Sequence, residues 1–242
     1  YSGDLEIALI PDWLLKDDEF KLYISVVLIF TLLIASTLTL HNIYNIKEAI
    51  QAACFQVVSI ITTTGFVSVD YNEWNLRAKL LLFLLMFSGA SIGSASGGLK
   101  ILRIVLIFKY LKRQISKIYH PNGVYPIKIN RVIVKEDTVR QMISFVMFYY
   151  TIFVVTAVIL VYTEQNIVVG VSSAIASLGN VGPAFGIVGP MGNYSSIHTI
   201  SKIVFIFNML IGRLELIPFL ALLHPDFWNF RKRNNLHKIK QI

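Results

Sequence analysis

The sequence predicts an all-α polytopic membrane protein that contains two tandem units of the same design. Hydrophobic residues make up 55% of the chain and charged residues only 15%, whereas a soluble domain of this size carries more charge. A long apolar span, a short amphipathic segment, a glycine-containing turn and another apolar span follow one another twice. Three residue types also recur at matching intervals in the two copies, as Lys79, Met86 and Gly89 and as Lys202, Met209 and Gly212.

The first unit extends over residues 22–110 and follows a polar lead-in, residues 1–21, which we expect on the cytosolic side. Its two spans and the short segment between them are predicted at residues 22–40, 76–110 and 48–61. The short segment cannot cross a bilayer at 1.5 Å per residue, so it predicts a half-span that ends in a turn. The second span is interrupted, because its glycine- and serine-rich middle, residues 88–98, has poor helix propensity.

A basic loop, residues 111–138, separates the first unit from the second, and a basic tail, residues 226–242, ends the chain. The second unit covers residues 139–225, with its spans and half-span predicted at residues 139–162, 200–223 and 167–178. Lysines and arginines crowd the loop and the tail beside apolar spans, as the positive-inside rule expects of cytosolic segments. Four full spans and two half-spans therefore place the loop and both ends of this segment in the cytoplasm.

The remaining composition excludes other classes of protein. The net charge of +8 is explained by membrane topology, and no nucleic-acid partner is expected, because neither basic segment has interleaved aromatic residues or a recognition helix. Cys54 is the only cysteine, so it predicts a small buried side chain and no disulfide framework or thiolate metal site. The chain opens at Tyr1 without Met, and we expect it to be a later part of a longer protein.

The two turns are the candidate functional centre. Irregular backbone at membrane depth is tolerated where its carbonyl groups face water or an ion. Each half-span directs its C-terminus, which carries roughly half a negative charge, at its turn, so two converging ends favour a cation. The candidate ligands are backbone carbonyls and threonine hydroxyls of Thr62, Thr63, Thr64, Gly65, Asn180, Val181 and Gly182. An ordinary re-entrant turn is the alternative, and the repetition favours an ion pore.

Two further features have alternatives of their own. Gly89, Gly93 and Gly97 are spaced for close helix packing, whereas the adjacent Gly98 and the serines favour a broken helix. Arg213 and Glu215 lie within the last span, where a charge costs at least ~2.5–3.5 kcal/mol and must face water or a partner. An ion pair with another span would satisfy that requirement equally well.

Several strings of the chain together resemble a known family. They are residues 55–66, residues 89–98 followed by Lys100 and Arg103, residues 120–128, residues 180–183 and residues 209–215. In these strings the chain is similar to the Trk/Ktr/HKT superfamily of potassium transporters, most closely to the Trk-type bacterial potassium-uptake membrane subunit. The resemblance covers almost the whole chain. The second turn has no threonine and no phenylalanine after its glycine, a looseness that the fourth unit of the family also shows.

The resemblance implies a potassium-channel-like pore in which four helix–pore helix–filter–helix units are arranged pseudo-fourfold. This chain would supply the third and fourth units, and an N-terminal half would supply the first two. It implies potassium uptake across the bacterial inner membrane, with potassium as the transported ion and no organic cofactor. Residues 89–98, with Gly89, Gly93, Gly97 and Gly98, would form an intramembrane gate below the filter, and Arg213 would be an electrostatic barrier in the ion path.

The resemblance also implies partners. A second copy would complete a homodimer surrounded by membrane lipid, and a cytosolic ring of nucleotide-binding regulatory subunits would dock near His120 and Lys128. A solvated loop is the alternative for those two residues. A non-conducting membrane scaffold or a membrane enzyme is the alternative function. We expect no enzyme, because the five histidines lie at span ends or in loops and none pairs with a carboxylate within the membrane.

Overall fold

The computed structural model describes residues 17–214 apart from residues 92, 93, 95, 121, 122, 124 and 131. The described part is predominantly helical, as predicted, with α1 Asp18–Leu40, α2 Ile46–Ile61, α3 Leu76–Leu85, α4 Ile101–Tyr119, α5 Glu136–Glu164, α6 Ile167–Leu178 and α7 Thr199–Leu214. Two 3₁₀ turns lie at Tyr71–Glu73 and Gly186–Val188. The prediction of an all-α protein missed one short antiparallel hairpin, β1 Lys128–Ile129 and β2 Val132–Ile133.

The first unit is built on α1, which packs against the half-span helix α2. Helix α1 begins at its cap Asp17, whose carboxylate accepts the Glu19 N–H over 2.7 Å. Its inner face contributes Ile34 and Leu38 to a core that continues through Leu82 of α3. Helices α1 and α5 are the two in the described part that are long and apolar enough to cross a membrane.

The second span of the first unit is interrupted as predicted, because α3 ends at Leu85 and α4 begins at Ile101. The connecting chain folds back on itself. The Gly89 N–H donates to the Leu99 carbonyl over 2.8 Å, and the Leu99 N–H donates to the Phe87 carbonyl over 3.3 Å. These bonds replace the helical ones that the glycines weaken. We call residues 86–99 the interrupted segment.

Helix α4 continues to Tyr119, so the first residues of the predicted basic loop, 111–138, are helical. Basic residues have good helix propensity, and this part of α4 is stabilised from the opposite side. The Arg113 guanidinium pairs with the Glu136 carboxylate at the start of α5, and its second contact, from Nη2 to Oε2, measures 3.2 Å. The two helices that flank the loop are thus joined near its ends.

The hairpin closes the space between α1 and α4. Lys109 donates from Nζ to Asp18 Oδ2 over 3.2 Å and to the Lys128 carbonyl over 2.7 Å. The Asn130 side chain accepts the Asp18 N–H over 2.9 Å. Polar contacts therefore join the end of the lead-in, the loop and α4, whereas residues 1–16 lie outside the described part.

The second unit repeats the arrangement with α5, α6 and α7. Helix α6 is buried along nearly its whole length, and Gly170 lets it approach α5 closely, since a Cβ there would lie 2.6 Å from the Val161 backbone nitrogen. Asn208 of α7 donates to the Ser177 hydroxyl of α6 over 3.0 Å. The predicted span 200–223 is described to Leu214, and the rest of it and the tail lie outside the described residues.

Candidate ion-binding turns

The first turn follows the C-terminus of α2 and is held by that helix. The Thr62 N–H donates to the Val58 carbonyl, and the Thr63 N–H donates to the Ile60 carbonyl, both over 3.0 Å. The Ser59 carbonyl accepts two bonds, from the Thr64 N–H over 3.0 Å and from the Gly65 N–H over 3.5 Å. The backbone reverses through positive φ at Thr63, +55°, and Gly65, +70°. The chain therefore leaves the helix abruptly and runs back beside it.

The second turn has the same hydrogen-bond pattern at equivalent positions. The Gly179 N–H donates to the Ile175 carbonyl over 2.7 Å, and the Asn180 N–H donates to the Ser177 carbonyl over 3.2 Å. The Ala176 carbonyl accepts two bonds, from the Val181 N–H over 2.9 Å and from the Gly182 N–H over 3.4 Å. Positive φ recurs at Asn180, +56°, and Gly182, +97°. Because the two side-chain sets differ, what the repeat preserves is the path of the backbone and the direction of its carbonyl groups.

The two turns are in contact with each other. A Cβ on Gly65 would lie 2.2 Å from the Val181 carbonyl oxygen and 3.2 Å from Pro183 Cδ. Glycine at this position is required twice, by the close approach and by the positive φ. The C-termini of α2 and α6, with their partial negative charges, therefore end at one shared place.

The threonine hydroxyls predicted as ligands are engaged with their own helix. Thr62 Oγ1 donates to the Val58 carbonyl over 2.6 Å, and Thr64 Oγ1 donates to the Ser59 carbonyl over 3.3 Å. Thr63 Oγ1 instead accepts the Gly97 N–H over 3.3 Å. Such side-chain bonds to a helix end are typical of threonine. A hydroxyl that donates its hydrogen keeps its lone pairs, so the hydroxyls of Thr62 and Thr64 stay candidate ligands beside the backbone carbonyls.

Two side chains that the sequence did not single out support the turns. Ser59 Oγ donates to the Phe66 carbonyl over 2.6 Å, and the Tyr194 hydroxyl donates to the Gly182 carbonyl over 2.7 Å. A carbonyl oxygen has two lone pairs, so each of these oxygens keeps one for another partner. Ser59 lies in the string 55–66 that carries the resemblance, whereas no sequence signal pointed to Tyr194.

The interrupted segment packs against both turns. A Cβ on Gly97 would lie 2.5 Å from the Gly179 carbonyl oxygen and 2.9 Å from Asn180 Cβ, and a Cβ on Gly89 would lie 2.3 Å from the Gly97 carbonyl oxygen. Gly98 is less crowded, with its closest neighbour at 3.6 Å. Gly93 lies outside the described residues. The segment thus reaches the turns through contacts that only glycine allows.

Arg213 is exposed in the last described turn of α7. It follows Gly212, where a Cβ would lie 2.0 Å from the Leu178 carbonyl oxygen and 2.6 Å from Asn180 Nδ2. That Asn180 nitrogen is buried without a hydrogen-bond partner in the described part of the chain. The backbone that carries Arg213 therefore touches the C-terminal end of α6, and Glu215 lies outside the described residues.

The two residues predicted to contact a regulator lie away from the turns. His120 is exposed at the C-terminus of α4, and Lys128 is exposed in β1. Cys54, predicted to be buried, is exposed on α2. No cluster of three or more His, Cys, Asp or Glu side chains suited to a metal ion occurs within the described ranges.

Comparison with known proteins identifies relatives of this arrangement. The family model of cation transport proteins named TrkH matches residues 19–229. The Trk system potassium uptake protein TrkH of Escherichia coli strain K12 is 37% identical over 216 residues, which are 88% of this chain and 44% of that protein. The protein of the same name from Vibrio parahaemolyticus is 34% identical over 219 residues, 90% of this chain and 45% of the relative.

A solved structure shares the fold. The crystal structure of the potassium transporter TrkH from Vibrio parahaemolyticus superposes with a TM-score of 0.82 at 33% identity, over 90% of this chain and 46% of that one. The chain thus spans less than half the length of the relatives that it matches. The family model covers most of the chain, and the architecture agrees with it. The chain belongs to the TrkH family of cation transport proteins.

Proposed function

We propose that this chain forms the third and fourth pore units of a potassium-uptake subunit in a bacterial inner membrane. The observation that carries the proposal is the pair of turns with one hydrogen-bond pattern, which meet where α2 and α6 both end. Rings of backbone oxygens replace the hydration shell of potassium in selectivity filters. The names of the relatives, which are potassium uptake proteins, support potassium as the ion.

In this proposal the filter residues bind potassium through their main-chain oxygens. The ligands come from Thr62, Thr63, Thr64 and Gly65 in one unit and from Asn180, Val181 and Gly182 in the other. The support is their position at the ends of two helices whose C-terminal dipoles favour a cation. Potassium is substrate here, and the proposal needs no organic cofactor and no enzymatic step.

The interrupted segment and Arg213 are the proposed gate. The segment contacts both turns through Gly97, and Arg213 follows the glycine that touches α6. A loop at this place obstructs the path of an ion that leaves the filter, and a positive charge beside it repels the ion. Gly89, Gly93 and Gly98 belong to the same proposal as parts of the segment.

The topology and the partners are proposed with the same function. Residues 22–110 and 139–225 would be the two pore units, and the lead-in, the basic loop and the tail would lie in the cytoplasm. A second copy of the subunit would form a homodimer, and a cytosolic nucleotide-binding ring would dock at the surface that includes His120 and Lys128. The exposure of both residues is compatible with such docking.

Flux measurement in liposomes tests the function. The complete transporter should conduct potassium faster than sodium across matched ion gradients, because its ring of oxygens suits the larger ion. Liposomes without protein provide the control. A folded, membrane-inserted protein without potassium flux would instead support the alternative of a non-conducting scaffold.

An open groove on α2 supports the proposal of an upstream half. The groove measures about 600 Å³ and is lined by Cys54, Phe55, Val58, Thr64 and Phe66. It borders the first turn at Thr64 and Phe66. Two units form only half of a fourfold ring. Each backbone carbonyl that is left exposed to lipid costs several kcal/mol, so we expect a further unit to cover this groove.

A photo-reactive benzoylphenylalanine at position 55 tests this coverage. In the complete protein we expect it to crosslink to the upstream half of the same polypeptide, because the ring would lie inside a protein interface. The same group at position 158, which is 65% exposed on α5, provides the matched control. Crosslinks from position 55 to lipid alone, or to a second copy of this chain, would contradict the proposed neighbour.

A further inference from the structure

The chain segments that follow the two turns are hydrogen-bonded to each other through the side chain of Asn72. Its amide Nδ2 donates to the Gly186 carbonyl over 3.1 Å, and the Gly186 N–H donates to Asn72 Oδ1 over 3.0 Å. These paired bonds connect positions 114 residues apart, one in each unit. A two-point contact fixes both the distance and the angle between the segments that it joins.

Asn72 is itself held firmly in the first unit. Its N–H donates to Asp70 Oδ1 over 2.9 Å, and Lys79 Nζ donates to its carbonyl oxygen over 2.8 Å. The neighbouring Tyr71 is buried and packs edge-on against Phe185 of the second unit, with ring centroids 5.6 Å apart. The side chain therefore extends from a rigid support.

The receiving segment leads directly back to the second turn. The Phe185 N–H donates to Ser172 Oγ of α6 over 3.1 Å, and the Ala184 N–H donates to the Val188 carbonyl over 3.0 Å. A Cβ on Gly189 would lie 2.0 Å from Asn72 Nδ2, so glycine leaves the room that the amide occupies. Displacement of Asn72 would thus be transmitted through a short, bonded path to Gly182.

We propose that Asn72 is a positioning residue that sets the spacing of the two turns and so sharpens the discrimination between potassium and sodium. The inference rests on the proposed function of the turns as a filter. Ion preference depends on the size of the oxygen ring and on the number of its ligands. Sites of this kind require their groups to be held within about 0.5 Å, which two rigidly supported hydrogen bonds achieve.

The test compares variants in the complete transporter, reconstituted in liposomes. Asn72→Ala removes both bonds, and we expect the ratio of potassium to sodium flux to fall about three- to tenfold. Asn72→Asp keeps the acceptor for the Gly186 N–H but places a carboxylate oxygen against the Gly186 carbonyl in place of the donor, so its ratio should also fall.

Ser195→Ala is the matched control. Ser195 occupies the equivalent place in the second unit, because Lys202 Nζ donates to its carbonyl oxygen over 3.1 Å as Lys79 does to that of Asn72. Its hydroxyl contacts the nearby Asn193 within the same loop. We expect its flux ratio to equal that of the wild type.

The outcomes separate the two proposals. A wild-type preference for potassium that both Asn72 variants retain would overturn the positioning role and leave the filter intact. An equal fall of both fluxes at a constant ratio would indicate a purely structural role and would overturn it too. If Asn72→Ala does not fold, Asn72→Asp decides. A wild type without potassium preference would overturn the proposed filter itself, and the positioning role with it.

Discussion

Gly65→Ala is expected to lower potassium flux or its preference over sodium by about ten- to hundredfold, if the turns form a filter. The new Cβ would lie 2.2 Å from the Val181 carbonyl oxygen, well inside any real contact, so one turn must move. Residue 65 also has a φ of +70°, which costs a residue with a side chain roughly 1–2 kcal/mol. The measurement is paired potassium and sodium flux in the reconstituted complete protein.

Gly182→Ala is the matched control for this prediction. It has an equally unusual φ of +97°, but a Cβ there would meet no atom within 4 Å. It adds backbone strain without the collision between the turns, so its loss should be clearly smaller than that of Gly65→Ala. Equal losses would show that strain alone matters. Unchanged selectivity in both variants would mean that neither turn is the filter.

Arg213→Ala is expected to raise potassium flux, by up to about a thousandfold. A positive charge repels potassium by roughly 4 kcal/mol at 4 Å when the effective dielectric constant is 20. If that repulsion acts entirely on the barrier, its removal accelerates permeation by about three orders of magnitude. The position of Arg213, next to the glycine that touches the end of α6, supports an action close to the filter.

Charge and size can be separated at this position. Arg213→Lys keeps the positive charge and should conduct at nearly the wild-type rate, whereas Arg213→Gln removes the charge at similar length and should resemble Arg213→Ala. Thermal unfolding of each purified variant establishes that it is folded. A well-folded Arg213→Ala protein that conducts no faster than the wild type would end the proposal of an electrostatic barrier.

The helical architecture and the repeated turns could be predicted from sequence because their causes are local. The backbone hydrogen bonds that form each turn connect residues at most six positions apart, from Ser59 to Gly65 and from Ala176 to Gly182. The break at residues 88–98 also follows from local propensity. Short-range patterns in the sequence therefore indicated where the backbone leaves the helix.

Other features depend on contacts between residues that are distant in the sequence, or on which of several nearby groups forms a hydrogen bond. The contact from Asn72 to Gly186 leaves no periodic signal, because it joins two loops far apart in the chain. The last turns of α4 carry Arg113, whose partner Glu136 lies on the next helix. The bond that Thr62 Oγ1 donates to the Val58 carbonyl is one such local contact, and the role of the threonine hydroxyls as ligands stays a prediction.

The unequal lengths of the two loops after the turns affect how such a chain can be assembled from repeats. Five residues, 66–70, separate the first turn from Tyr71, and eleven residues, 183–193, separate the second turn from Tyr194. The additional residues form the 3₁₀ turn Gly186–Val188 that receives Asn72. Two identical repeat units could exchange places in a chain. A longer loop that fits only one neighbouring unit makes the two units no longer interchangeable. A chain with its two units in exchanged order would carry both halves of this contact and be unable to bring them together.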